Sequence, residues 1–136
     1  MIKNISYLLA LSSLLMQAGA QLFAVTVIVT TLTSNPPESL SMLNGDYAYD
    51  SSDFWDVMPN ITSIFLLVAI LLNWKTDRKK YLIGSILVFI IGAIYSIFIL
   101  APAAEMHGAN WLILDWILFG ITLLASALLI IPLAKK

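Results

Sequence analysis

The 136-residue sequence contains no cysteine, which excludes a disulfide, a thiolate metal site, a CxxC redox pair and a cysteine nucleophile. It is also poor in charge. Only 11% of its residues are Asp, Glu, Lys or Arg, about half the fraction usual in a soluble globular domain. With a formal net charge of -1 there is no basic surface to displace phosphate counterions, so nucleic acid is excluded as a partner. The GxSxG, P-loop and HExxH patterns are absent, which removes a nucleophile elbow, a phosphate-binding loop and a zinc-binding helix pair. The alternation of apolar and polar residues that a membrane barrel strand needs is missing as well. There is no internal repeat, low-complexity tract, linker or GxxxG dimer motif, and the two halves show no similarity of the inverted-repeat kind.

What is present is apolar: 60% of the residues are hydrophobic and the mean hydropathy is +0.93. This composition predicts a single-domain, all-α integral membrane protein, because four spans of roughly 20 residues use most of the chain. Continuous apolar runs place the spans at residues 5–32, 58–74, 81–101 and 110–133. Helices are expected because backbone polar groups in lipid must be satisfied within each segment. Lys3, the apolar run after it and Ala18-Gly19-Ala20 imitate a signal peptide with an A-x-A cleavage site at 18–20. Hydrophobicity nevertheless continues through Leu22, Phe23, Val25, Val27, Ile28 and Val29, well beyond the roughly 7 to 15 apolar residues of a signal. A retained helix is therefore expected, with cleavage as the alternative.

Charge orients the spans. All seven basic residues, Lys3, Lys75, Arg78, Lys79, Lys80, Lys135 and Lys136, fall at the two termini or between spans 2 and 3. With an even number of spans those places share one side, which the positive-inside rule makes cytoplasmic. Of the acids only Asp77 joins them; Glu38, Asp46, Asp50, Asp53, Asp56, Glu105 and Asp115 belong to the opposite side. Short connections around 75–80 and 102–109 then predict an antiparallel, up-down-up-down four-helix transmembrane bundle. The exception is the outer loop 33–57, with Pro36-Pro37, a turn signal at Asn44-Gly45-Asp46 and the aromatics Tyr47, Tyr49, Phe54 and Trp55. It reads as an ordered cap over the bundle, with a short interfacial helix near 52–57 capped by Asp53.

Polar side chains inside spans are the informative ones, since each costs free energy unless it meets a partner or a water-filled cavity. Gln17 and Gln21 share one helical face, as an interhelical hydrogen bond or as ligand contacts. The small residues Ala18, Gly19, Ala20, Ala24, Gly84, Gly92 and Ala93 read as sites of close helix approach. Asp115 is the one charged residue within a span and the first functional candidate, with a structural hydrogen-bond acceptor as the alternative. His107, the single histidine, lies within a few residues of Trp111 and Asp115, so His107 and Asp115 form the candidate acid–base pair. The same mouth would gather Trp55, Asp56, Asn60 and Trp111, which with Gln17 and Gln21 make up the candidate binding residues. A divalent ion on Glu105, His107, Asp53 and Asp56 is an open alternative, but neither zinc-site nor calcium-loop spacing is present. No cofactor is expected.

The layout resembles the anthrone-oxygenase-like group of small bacterial four-helix membrane proteins. The resemblance rests on Ala18-Gly19-Ala20-Gln21-Leu22-Phe23-Ala24 in the first helix, on Pro36-Pro37 and on Phe54-Trp55 leading through Met58-Pro59-Asn60 into the second. Pro102 after the third span and Trp111 opening the fourth complete it. The region from Ala103 to Asn110, followed by Asp115, departs from that group, which often has a basic segment there and an arginine entering the fourth helix. The resemblance implies oxidation of a lipophilic polycyclic or quinone-like compound without a cofactor.

The sequence thus leads to a multi-pass protein of a cell membrane, taken as a bacterial inner membrane, with both termini cytoplasmic and a pocket for a lipophilic small molecule at the outer face. Rival readings are a non-catalytic accessory protein whose acidic loop contacts a membrane partner, and a channel or transporter. The last would require a homo-oligomer, since four helices leave little room for a pore.

Overall fold

A computed structural model describes residues 1–44, 48, 50–107 and 110–134. Asp46, Tyr47, Tyr49, Lys135 and Lys136, and the turn signal that includes Asp46, lie outside the described residues. Four long helices dominate: α1 (Ile2–Leu32), α2 (Ser52–Asn73), α3 (Lys79–Glu105) and α4 (Trp111–Ala134). Each is long enough and apolar enough to cross a membrane, and no strand occurs among the described residues. A 3-10 helix at Glu38–Leu43 interrupts the connection between α1 and α2.

Two helix ends differ from the sequence-based expectation, each for a local reason. α2 begins at Ser52 and not at residue 58, because the Asp50 carboxylate accepts the Ser52 backbone N–H at 2.8 Å and starts the helix there. The expected separate helix near 52–57 is the opening of α2, and Asp50, not Asp53, supplies its side-chain acceptor. Pro59 sits inside this helix, where its missing N–H leaves the Trp55 carbonyl without the usual intrahelical donor. α3 runs to Glu105 and not to residue 101. A π-helical segment, Ser96–Leu100, precedes the last turns, so Pro102 falls in the first turn of a new α-helical stretch, where proline is tolerated. α1 contains a second π-helical segment at Ala24–Val29. There the Thr30 hydroxyl donates to the Val25 carbonyl at 2.8 Å, and the Thr33 hydroxyl to that of Val29 at 2.8 Å.

α1 packs against α2 and α4, α4 packs against α3, and α2 meets α3 more sparsely. The start of α1, the ends of α2 and α4 and the start of α3 come together in what we call the terminal half. Its core is solid: Tyr7, Ala10, Leu11, Leu14, Leu66, Ala69, Leu82, Ala125 and Leu129 form one buried cluster. Side chains also tie the helices to each other's backbones. The Tyr7 hydroxyl donates to the Leu129 carbonyl at 2.7 Å, Ser85 to Ala125 at 2.8 Å and Asn73 to Lys3 at 3.2 Å. Arg78 donates to the Asn4 amide oxygen at 2.7 Å and lies over the Tyr7 ring. Gly84 and Gly92 behave as expected of small residues at a helix contact, since a Cβ there would meet Leu128 at 3.4 Å and Ile121 at 3.1 Å. Gly19 does not: a Cβ there would meet nothing within 4 Å.

The outside of the assembly is apolar. Leu8, Leu15 and Met16 on α1, Ile64, Leu67 and Leu71 on α2, Leu87, Ile91, Ile94 and Phe98 on α3, and Ile113 and Leu124 on α4 are all exposed. A soluble monomer rarely presents contiguous apolar surface on this scale.

Candidate functional site

The half opposite the terminal half is hollow. It holds a cavity of about 830 Å³, within the range of small-molecule sites. One face of each helix supplies the wall. α1 contributes Gln17, Gln21, Ala24, Ile28 and Leu32; α2 contributes only its first turns, through Trp55 and Pro59. α3 contributes residues from Phe89 through Gly92, Ser96 and Leu100 to Glu105, and α4 contributes Trp111, Asp115, Leu118 and Thr122. Leu43, Asp50 and Ser51, from the connection between α1 and α2, complete the wall. Both π-helical segments border the space, through Ala24, Ile28 and Val29 on one side and Ser96, Ile97 and Leu100 on the other. Such segments occur frequently at functional sites.

Spacing makes Gln17 and Gln21 equivalent, but their partners differ. Gln17 donates through Nε2 to the Thr62 hydroxyl and, at 3.4 Å, to the Met58 carbonyl, tying α1 to α2. Gln21, one turn along, is 5% exposed and lines the cavity, and its Oε1 is buried without a hydrogen-bond partner among the described residues. Gln17 therefore acts in packing, whereas Gln21 holds unspent hydrogen-bonding capacity at the cavity wall.

Asp115 is the second polar group of this kind. It projects into the wall from the second turn of α4, on one face with Trp111, Leu118 and Thr122. It is only 7% exposed, and among the described residues no donor is paired with its carboxylate. Close by, the Tyr95 hydroxyl is already committed, donating to the Leu114 carbonyl at 3.1 Å. Two further carboxylates, Asp50 and Glu105, are exposed and stand at the rim. The Ser52 backbone N–H, with a bond from the Ser52 side chain, holds Asp50 below the ordinary aspartate pKa and so in its charged form. Among the described residues no Lys, Arg or His lines the cavity.

Several expected site residues lie elsewhere. His107 is exposed and outside the cavity wall, its ring centroid 6.0 Å from that of Trp111. Its backbone is left-handed, with φ 48°, and its N–H donates to the Ala104 carbonyl at 3.0 Å, an arrangement that closes the end of a helix. The expected His107–Asp115 pair is thus not assembled: the chain turns at His107, so nearness in sequence to Asp115 does not carry its ring inside. Asp56 and Asn60 are exposed on α2 and do not line the cavity, and Asn60 donates to the Asp56 carbonyl of its own helix at 2.7 Å. The candidate metal set is not gathered either. Of Glu105, His107, Asp53 and Asp56 only Glu105 borders the cavity, and no group of three or more potential metal-ligating acids or histidines occurs among the described residues. The first turns of α2 turn Asp53 and Asp56 outward while presenting Trp55.

Residues the sequence reading passed over also join the wall. Thr122 lies seven positions after Asp115, a helical spacing that places it on the same face. Ser96 is a polar residue in an otherwise apolar stretch, and Asp50 carries no signal in the sequence. Compared with known proteins, the chain matches no family model, no curated protein and no solved structure.

Proposed function

We propose that this chain is a multi-pass membrane protein with an antiparallel, up-down-up-down bundle, both termini on the cytoplasmic side of a bacterial inner membrane, whose outer-half cavity binds a lipophilic small molecule. The apolar exterior and the gathering of basic residues at the terminal half support insertion and sidedness. The observation that carries the binding reading is the cavity of about 830 Å³, mostly apolar, where among the described residues Gln21 Oε1 is buried without a partner and the largely buried Asp115 carboxylate has no paired donor. Ligand sites have this composition: an apolar body with a few convergent polar groups that orient the guest. Leu43, Asp50 and Ser51, from the connection between α1 and α2, border it as well.

If the site also oxidises its guest, as the anthrone-oxygenase-like layout implies, Asp115 is the base, because it is the buried titratable group on the wall and His107 stands outside. Such a group would remove a proton from a bound polycyclic or quinone-like hydroxyl and leave an electron-rich anion, which dioxygen, the oxidant in such a reaction, would attack.

Native mass spectrometry of protein purified in mild detergent tests the binding reading. The wild type is expected to carry a near-stoichiometric lipophilic molecule, and Ser96→Phe, which places a ring inside the cavity, to lose it. A wild type free of small molecules that retains only a protein partner would replace this reading with the accessory one.

A further inference from the structure

We infer that the cavity is built for a lipophilic organic cation, a flat apolar body bearing one protonated amine. The inference rests on the proposal that the cavity binds a small molecule, and it narrows the class of that molecule.

The wall is electrically one-sided. Among the described residues, Asp115 within and Asp50 and Glu105 at the rim are its ionisable groups, and no basic residue accompanies them. The charged groups that an anionic guest would meet among the described residues are all carboxylates. A neutral quinone offers carbonyl acceptors, whereas the Asp115 carboxylate and the buried Gln21 Oε1 on this wall are themselves acceptors, the latter with no partner among the described residues. A buried, unpartnered carboxylate in a membrane protein is stabilised by an opposite charge or by donors that replace its lost water. An alkylammonium supplies both, with up to three N–H donors on one cationic nitrogen.

The remainder of the wall fits the rest of such a molecule. Trp55, Trp111 and Phe89 border the space, and aromatic faces attract organic cations as well as apolar rings. Asp50, held in its charged form by Ser52, and Glu105 stand where a cation entering from the aqueous side would first meet the protein, and attraction of this kind speeds encounter. Gln21 and Asp115 are thus assigned as the headgroup site, with the π-helical segments flanking the apolar body.

The test compares two probes with the same aromatic body, 1-pyrenemethylamine and 1-pyrenemethanol, against the full chain in phosphatidylcholine nanodiscs. Binding is read as energy transfer from tryptophan to pyrene, with empty nanodiscs as background. The amine is expected to bind at least about tenfold more tightly than the alcohol. Asp115→Asn should bring the amine to the alcohol's affinity while leaving alcohol binding in place, which also shows that the variant is folded. Asp115→Glu should keep the preference. Equal affinity of the wild type for both probes overturns the cation assignment and leaves the cavity reading standing. A preference that survives Asp115→Asn overturns the assignment of the headgroup site. Failure of both probes to exceed the background overturns the binding proposal itself, and this inference with it.

Discussion

The two halves of the molecule are made of the same four helices, yet one is filled and the other hollow. In the terminal half, Tyr7, Leu14, Leu66, Leu82 and Leu129 interlock, and polar side chains such as Tyr7 and Ser85 spend their donors on carbonyls of neighbouring helices. In the open half the apolar side chains line a space instead of filling it, two helices widen into π turns, and Gln21 and Asp115 keep their capacity unspent. The contrast teaches that packing between apolar helices is local, and that close approach depends on shape and on paired polar groups. Between α1 and α2 those pairs end at Gln17, and one turn on Gln21 faces the cavity.

The contrast can be broken or sharpened by substitution. The largest effect is expected from Leu14→Ala, which empties a fully buried site in the filled half and should cost about 2 to 4 kcal/mol. The matching change at the cavity wall, Ile28→Ala, should cost under about 1 kcal/mol, because its neighbours already border a void. Unfolding of the two variants in the same detergent compares them directly, and equal losses would mean that the open half is packed like the other. Next in size is Gly92→Val. Its added atoms would press on Ile121 and Leu118 where α3 meets α4, at an expected cost of about 1 to 3 kcal/mol. Gly120→Ala, with nothing within 4 Å, should instead stabilise by up to about 1 kcal/mol through helix propensity. Thermal midpoints for the pair read this difference.

The smallest effect separates the two glutamines. Gln17→Leu gives up its bonds to Thr62 and Met58 and should lose about 0.6 kcal/mol, the usual worth of an interhelical bond in a membrane. Gln21→Leu removes a buried oxygen that has no partner and should be neutral or slightly stabilising for the ligand-free protein, while weakening retention of the guest. Stability and ligand content measured on the same preparations show whether the two parameters move apart as expected.

The four helices are legible in the sequence because uninterrupted apolar runs of this length have few other stable forms. Their ends are less so. Asp53 and Asp56 make the opening of α2 look like a loop, and Pro102 makes α3 look finished, although the preceding π turns accommodate it. At the site, Asp115, Gln21, Trp55 and Trp111 stand out as polar or amphipathic residues in or beside apolar helices. What one-dimensional spacing does not contain is partnership. Gln17 and Gln21 are equivalent by position and are distinguished only by Thr62 on another helix. His107 is close to Asp115 along the chain, but the left-handed turn at His107 leaves its ring outside. The π segments have no marker either, since they arise from how α1 and α3 fit their neighbours.

The absence of cysteine makes the central claim directly testable by labelling with an impermeant maleimide added to the outside of intact cells. Two serines on the same helix are compared: Ser96, on the cavity wall, and Ser85, fully buried in the filled half. The account predicts that Ser96→Cys reacts from outside, that a bound lipophilic amine slows it, and that Ser85→Cys stays unlabelled. Equal protection of both cysteines, or labelling of Ser96→Cys only after the cytoplasmic side is opened, would contradict an outward-facing hollow half.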